Sequence, residues 1–188
     1  TSPITIFGAN SITDGTGYST MKEAFDAINS TSSQSNQEIE IKIGASVTEI
    51  ATASLSDNNW NSLVIYPTVA DLTIDANMGS AVLRLYGANN VTLDGRVNQS
   101  GSTASLSVIN NSSNGGAVAI DLLNSAQNNT LQYTKFKGKL EDNSRGVVFI
   151  GSASTGDGND NNIIQYNEIS GIDEDNRPRH AIASNGTP

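Results

Sequence analysis

Apolar residues recur with helical spacing in one segment near the start of the chain, "YSTMKEAFDAINS". Four of them fall at positions i, i+3, i+4 and i+7, on one face of a helix: Met21, Ala24, Phe25 and Ile28. Thr20 and Glu23 have the spacing of a capping box, and Asn29 suits the end of a helix. The pattern therefore predicts an amphipathic helix over residues 20–29.

Beyond residue 30 the apolar residues form short runs that are typical of strands. In "EIEIKIG", Ile39, Ile41 and Ile43 alternate with charged residues, which indicates a strand with one solvated face. Further apolar runs follow at 63–66, 72–74, 82–86, 91–93, 106–109, 118–122, 131–133 and 147–150. Clusters rich in Asn, Ser, Gly and Asp separate them, as turns do. Many short strands with this punctuation predict a sandwich, a barrel or a solenoid.

An internal repeat decides among these three architectures. "NNTLQYTKFKG" begins at Asn128, and "NNIIQYNEISG" begins at Asn161 with the same Asn-Asn, Gln-Tyr and closing Gly. "NNVTLDG" opens in the same way at Asn89, over a longer interval, and "DLTIDAN" at Asp71 resembles "NVTLDGR" at Asn90 over a much shorter one. Variable spacing around a constant strand signature predicts a solenoid, because insertions enter loops while strands stay stacked.

Stacked coils also predict which residues of the repeat lie over one another, because one coil cannot bury its own apolar face. The expected pairs are Leu131 with Ile164, Tyr133 with Tyr166, Phe136 with Ile169 and, on the outside, Lys135 with Glu168. The alternation breaks at Asn167, which predicts a bend there with this asparagine in or near the left-handed conformation.

The repeat "NNIIQYNEISG" resembles that of right-handed parallel β-helices, the pectate-lyase-like superfold. The segment "GTGYSTMKEAFDAIN" resembles the amphipathic helix that caps the N-terminal end of many such proteins. The resemblance implies an all-β, right-handed, single-stranded parallel β-helix with an N-terminal capping helix. We expect a cap over residues 1–37 and coils over 38–188, which continue in a longer protein or meet a partner chain at the C-terminal edge.

The amino-acid composition excludes some classes of binding partner. The chain has 10 Lys and Arg against 19 Asp and Glu, a net charge of −9, which argues against a nucleic-acid surface. There is no cysteine, so a disulfide framework is excluded. No apolar run approaches the roughly 18 residues of a membrane span. The acidic composition, rich in Asn, Ser, Thr and Gly, is typical of a secreted or bacterial cell-surface protein.

The loop "DGNDNN" has part of the spacing of an EF-hand calcium loop. Asp157, Asn159 and Asn161 occupy alternate positions, and Glu168 stands at position twelve. Position six is Asn162 rather than Gly, and residues 163–169 are predicted as strand rather than helix. We therefore expect no cofactor, with calcium as the one candidate, and favour a solvated turn.

The segment "DEDNRPRHA" gathers cations and carboxylates. Arg177, Arg179 and His180, the single histidine, have the chemistry that a polysaccharide lyase needs to hold a uronate. Asp173, Glu174 and Asp175 would supply metal ligands. The favoured alternative is a charged surface loop, because the arginine pattern of pectate lyases is absent.

Two further groups suggest carbohydrate chemistry. Asp75 in "TIDA" and Asp94 in "TLDG" would stack as a carboxylate pair of the kind glycoside hydrolases use, against the favoured alternative of turn carboxylates. Trp60, Tyr66 and Tyr86 are candidate sugar platforms. Trp60 in "DNNWNS" is the best of them because it is expected to be exposed, whereas the favoured alternative is a loop anchor.

Two functions follow from these observations. The first is a non-enzymatic secreted or cell-surface β-helical adhesin or structural segment with glycan-binding capacity, which resembles the repetitive adhesins that gliding bacteria export by type IX secretion. Its partners would be polysaccharide or the secretion machinery. The alternative is a polysaccharide lyase or glycoside hydrolase of the β-helix class. The fold itself serves both, so the sites must decide.

Overall fold

A computed structural model describes residues 2–152 and 158–185. Seventeen strands and one α-helix make up this part of the chain, with a short 3-10 turn at Val97–Gln99. The elements in chain order are β1 Ile4–Phe7, β2 Thr16–Tyr18, α1 Met21–Asn29, β3 Glu38–Ile43, β4 Val47–Glu49, β5 Ala53–Ser56, β6 Ser62–Pro67, β7 Leu72–Ala76, β8 Leu83–Tyr86, β9 Val91–Asp94, β10 Leu106–Asn110, β11 Ile120–Leu123, β12 Thr130–Gln132, β13 Thr134–Gly138, β14 Val148–Ile150, β15 Ile163–Gln165, β16 Glu168–Ser170 and β17 Ile182–Ser184.

The helix forms where the apolar spacing predicts it. Its four apolar residues are all fully buried. The amide of Glu23 donates to the hydroxyl of the N-cap Thr20 at 3.1 Å, and the Glu23 carboxylate accepts from the amide of Ser19 at 2.7 Å. These bonds satisfy amides that the first helical turn leaves without partners. The prediction of the helix and its capping box is confirmed.

The strands form three sheets that the chain visits in turn, and all pairings from β3 onward are parallel. Sheet 1 has the order β15-β12-β9-β6-β3-β1-β2, sheet 2 the order β16-β13-β10-β7-β4, and sheet 3 the order β17-β14-β11-β8-β5. Every third strand from β3 onward returns to the same sheet, so neighbouring strands belong to consecutive coils. This arrangement is a parallel β-helix, as the sequence predicts.

The register confirms the predicted stack. Leu131 pairs with Ile164, Phe136 with Ile169, and Lys135 with Glu168. The ring of Tyr133 stacks on that of Tyr166. Between the two earlier coils, the register differs from a simple alignment of the repeated motifs. Thr92 pairs with Thr130, whereas alignment of the Asn-Asn motifs at Asn89 and Asn128 would place it beside the next residue, Leu131.

The reason for this shift lies in the paired asparagines. Asn90, Asn128 and Asn161 all have a left-handed backbone, with φ of 57°, 56° and 56°. Asn90 is the second asparagine of its pair, whereas the other two are the first of theirs. The left-handed turn before the strand therefore sets the register, and the visible motif is displaced from it by a single position.

The bend between sheets 1 and 2 differs from the prediction for Asn167. Tyr133 and Tyr166 take the left-handed conformation there, with φ of 49° and 56°, so placing Asn167 in it was wrong. The Asn167 side chain instead joins two coils. Its oxygen accepts from the amide of Thr134 at 2.9 Å, and its nitrogen donates to the carbonyl of Leu131 at 2.7 Å. The amide thus replaces backbone partners that the bend removes.

The helix and the first two strands lie at one end of the solenoid. Strands β1 and β2 add antiparallel to β3, the first coil strand of sheet 1. Glu49 of β4 is buried, and its carboxylate accepts from the amides of Met21 and Lys22 at 2.6 and 3.2 Å. The side chain of Asn29 bonds to Ser54 and Ser56 of β5. The helix therefore lies against the edge strands of sheets 2 and 3.

Strands β15, β16 and β17 end the three sheets at the other end. Three large side chains there are about half or more exposed: Ile163, Tyr166 and Ile182. A covering by further coils or by a partner chain stays a prediction. In the part of the chain that the structure describes, no helix combines the length and apolar character that crossing a membrane requires.

Candidate functional site

The loops that follow the strands of sheet 2 meet at the corner between sheets 2 and 3. Three of them, over residues 111–119, 139–147 and 171–181, are long and come from consecutive coils. Because the strands before them are stacked in register, the loops lie beside one another along the axis. In a solenoid the stacked strands form a regular scaffold, and binding residues are commonly carried by the loops at its corners.

A groove of about 420 Å³ lies among these loops. We call it the corner groove, and the residues that line it are Ser113, Lys139, Glu141, Asp175, Asn176 and Arg177. Two cations and two carboxylates face the same space, and the remaining two residues carry a hydroxyl and an amide. The volume lies within the range of small-ligand sites, while the polar lining differs from their usual apolar one.

Hydrogen bonds within the last loop shape the wall of the corner groove. The carboxylate of Asp173 accepts from the side chain of Asn176 and from the amides of Asp175 and Asn176, at 2.8 to 3.0 Å. The side-chain bond from Asn176, with the two amide bonds, holds the pKa of Asp173 below its usual value. Arg177 donates from Nε to the carbonyl of Glu174 at 2.9 Å. Hydrogen bonds within residues 173–177 therefore hold the turn that carries Arg177.

Of the three predicted cations, one lines the corner groove. Arg177 lines the corner groove, whereas Arg179 and His180 are not among its lining residues. Arg179 donates from Nη1 to the Asn143 side chain at 2.7 Å, and its amide bonds to Leu140. The carbonyl of His180 accepts from the amide of Val147 at 3.1 Å. These two residues join neighbouring loops, and the lyase role of the three cations stays a prediction.

The loop proposed for calcium is described only from residue 158, and Asp157 lies outside the described residues. Asn159 already accepts from the amide of Ala126 at 2.8 Å and donates to the carbonyl of Gly151. Asn161 is exposed with a left-handed backbone, and Glu168 is exposed on β16. Within residues 2–152 and 158–185, no three His, Cys, Asp or Glu residues group as metal ligands would. Calcium stays a prediction.

The expectation that Trp60 is exposed was wrong. Its side chain is 3% exposed and belongs to the core, and its Nε1 donates to the carbonyl of Asn89 at 2.7 Å. The indole therefore anchors the loop between sheets 3 and 1 and offers no free ring face. Tyr66 is also buried, with its hydroxyl on Glu40, while Tyr86 is 45% exposed.

The predicted stacking of Asp75 and Asp94 was also wrong. Asp75 lies on β7 in sheet 2, where it accepts from the Thr48 hydroxyl at 2.9 Å. Asp94 lies on β9 in sheet 1, where it pairs with Arg96 at 2.6 Å. In both segments a left-handed residue precedes a strand, but the two strands belong to different sheets. The two carboxylates therefore do not share a face.

Sequence reasoning missed Lys139, Glu141 and Asn176 as members of a common site. They lie on two loops that are distant in the chain, and only the stacking of β13 on β16 brings those loops together. The available signal was the length of the segments that follow the sheet 2 strands. No protein-family model matches the chain, and no curated protein or solved structure matches it.

Proposed function

We propose that the chain is a non-enzymatic, β-helical segment of a secreted or cell-surface adhesin, and that it binds an acidic glycan in the corner groove. The observation that supports this is the lining of the groove, in which cations, carboxylates, a hydroxyl and an amide converge from stacked loops. Saccharides offer hydroxyls in many directions, so a site for them needs donors and acceptors together. The same proposal includes the type IX secretion machinery as a partner that exports the chain.

The chemistry of each side chain supports this ligand class. Lys139 and Arg177 donate to the carboxylate of a uronate, and charge-assisted bonds of this kind are the strong ones. Glu141 and Asp175 accept from sugar hydroxyls. The loops are held by the register of β10, β13 and β16, so the groups are oriented before the ligand arrives.

The experiment is a titration of acidic and neutral oligosaccharides by isothermal titration calorimetry, with an Arg177→Ala and Lys139→Ala double variant. We expect uronate oligomers to bind, and the double variant to weaken binding at least about tenfold, because each lost charged bond contributes about 1.5 kcal/mol or more. Lys22→Ala removes an exposed cation from the helix and is the matched control. Equal affinity of the double variant and the control would contradict the proposal.

The second candidate is a polysaccharide lyase or hydrolase. Lys139 and Arg177 both line the corner groove, which favours this second function because a lyase also needs cations beside the uronate. The two functions differ in turnover. An assay for unsaturated uronate or new reducing ends on a polysaccharide panel, with and without calcium, separates them, and any release that depends on Arg177 would replace the adhesin proposal.

A further inference from the structure

A second concave site lies on the outside of sheet 1, at the end where β1 and β2 add to the first coil. It encloses about 350 Å³. We call it the cap pocket, and the side chains that line it are Phe7, Glu38, Glu40, Ser62, Val64 and Gln99. It shares no residue with the corner groove, so the proposals for the two sites can be tested independently.

Two apolar side chains line the cap pocket on either side of Glu40. Phe7 lies beside Glu40 in the antiparallel pairing of β1 with β3, and Val64 lies beside Glu40 on the other side in β6. Both side chains are half-buried rather than enclosed. The ammonium of Lys42 lies 4.4 Å from the centroid of the Phe7 ring, which fixes that ring by a cation–π contact. The Phe7 ring is therefore held in place as an apolar surface within the pocket.

The two carboxylates that line the cap pocket are not equivalent. Glu40 accepts from the hydroxyl of Tyr66 at 3.1 Å and pairs with Lys42 at 3.0 Å. Glu38 is two positions earlier on the same face, is exposed, and forms no ion pair or side-chain hydrogen bond in the part of the chain that the structure describes. Glu38 is thus the free negative charge of the site.

The remaining wall comes from the loop 95–105. Gln99 lies at the end of its 3-10 turn, and the loop packs over β6. An ion pair between Arg96 and Asp94, and a bond from Arg96 to the carbonyl of Gly101, hold the loop at its base. A second bond, from the amide of Ser105 to Gly95, closes it. The Gln99 amide is therefore presented to the pocket from an anchored loop.

We propose that the cap pocket binds an amino sugar with a free amine, as in an oligosaccharide of glucosamine. Successive sugar rings have apolar C–H faces that fit Phe7 and Val64, and their hydroxyls fit Ser62, Gln99 and Glu40. An ammonium pairs with Glu38, the one carboxylate of the pocket that no cation of the described chain neutralises. A lysine side chain shares the ammonium but has no hydroxyls to satisfy the polar side chains of the pocket.

The test is calorimetric titration of a glucosamine hexamer and of its fully N-acetylated counterpart, at about pH 6, where a typical amine is charged. We expect the free amine form to bind at least about tenfold more tightly, because acetylation removes a charge-assisted bond. Glu38→Gln is expected to abolish this preference. Phe7→Leu, which keeps an apolar side chain but removes the ring, is expected to weaken both oligomers.

Asp71→Asn is the matched control, because Asp71 is also an exposed carboxylate and lies outside the cap pocket. Circular dichroism of each variant checks that the fold is retained. Failure of the glucosamine hexamer to bind, an equal effect of Glu38→Gln and Asp71→Asn, or tighter binding of a lysine-rich peptide than of the hexamer would overturn the proposal. Loss of uronate binding at the corner groove would not affect it.

Discussion

The ring of Tyr133 stacks on the ring of Tyr166 one coil further along, with centroids 4.9 Å apart and an angle of 19° between the planes. The guanidinium of Arg96 also lies over the ring of Tyr133, 4.4 Å from its centroid. Tyr166 is 69% exposed, so this column runs along the outside of the corner between sheets 1 and 2. The two tyrosines therefore link coils without contributing to the core.

Removing the ring in the middle of this column is expected to cost more than removing the ring at its end. Tyr133→Ala loses both the cation–π contact and the aromatic stack, about 1.5 kcal/mol together, whereas Tyr166→Ala loses only the stack, about 0.5 kcal/mol. Alanine has the same difficulty with a left-handed backbone as tyrosine, so the comparison isolates the rings. Denaturant unfolding of both variants measures this difference.

Tyr86→Ala is the control for that comparison, because Tyr86 is exposed on sheet 3 outside the column. We expect it to change the free energy of unfolding by less than either of the other variants. Equal losses for Tyr133→Ala and Tyr166→Ala would show that the Arg96 contact adds nothing to the stack. Losses no larger than that of Tyr86→Ala would show that the column does not couple the coils.

A buried asparagine is expected to contribute more to stability than any exposed one. Asn129 is fully buried, accepts from the amide of Val91 at 2.9 Å and donates to the carbonyl of Ala88 at 2.9 Å. Asn129→Ala leaves a buried donor and a buried acceptor without partners, which costs about 3 kcal/mol. Thermal or denaturant unfolding measures the loss.

The equivalent residue of the next coil provides the comparison. Asn162 accepts from the amide of Asn129 at 3.0 Å but is only half-buried, so water can replace its bonds in a variant. Asn162→Ala is therefore expected to cost clearly less than Asn129→Ala. The reverse order would mean that the amides do not act through burial.

The fold could be predicted from the sequence because its repeat is a packing code. Leu131 and Ile164, or Phe136 and Ile169, are similar residues at a constant distance in the chain, and stacking needs no more information than that. The helix was predictable for the same reason, since its apolar spacing and its capping residues are local.

The sites could not be predicted in this way, because each sheet uses the same local signals. A left-handed residue precedes both the strand with Asp75 and the strand with Asp94, yet the strands belong to different sheets. Polar neighbours likewise suggested an exposed Trp60, whereas the following coil covers it and supplies the Asn89 carbonyl. The tertiary structure determines which sheet a strand joins and which residues the next coil covers, and local sequence signals do not carry this information.

The stability that Asp94 provides is expected to disappear at acid pH. Burial acts to raise its pKa, but the hydrogen bonds from Arg96 and Gln132 outweigh burial and hold the pKa below its usual value. Because the folded-state pKa is lower than the unfolded one, the contribution is complete above the unfolded-state pKa and is lost as pH falls through the folded-state value.

A double-mutant cycle of Asp94→Asn and Arg96→Ala, repeated from neutral pH down to about pH 2, measures this contribution. The coupling free energy between the two positions is expected to be favourable near neutrality and to approach zero at the acid end. Hydrogen exchange of residues 96–104 reports the accompanying release of the loop. A coupling energy that does not change with pH would contradict the assigned ion pair.

The helix is expected to protect the first edge of sheet 3. Asn29 donates to the carbonyl of Ser54 at 2.8 Å and accepts from the amide of Ser56 at 3.0 Å, so it occupies hydrogen-bonding groups that an edge strand otherwise exposes. Asn29→Ala is expected to lower the free energy of unfolding by about 1–2 kcal/mol. It should also accelerate hydrogen exchange at the Ser56 amide and promote association of chains, which light scattering detects.

Lys22→Ala is the matched control on the same helix, because it breaks only the exposed pair with Asp26, which contributes under about 0.5 kcal/mol. It should leave the Ser56 amide and the association state unchanged. If Asn29→Ala behaved like this control, the bonds to β5 would not be what protects the edge. Protection of Ser56 would then have to come from the apolar packing of the helix on the first coil, through the buried side chain of Phe25.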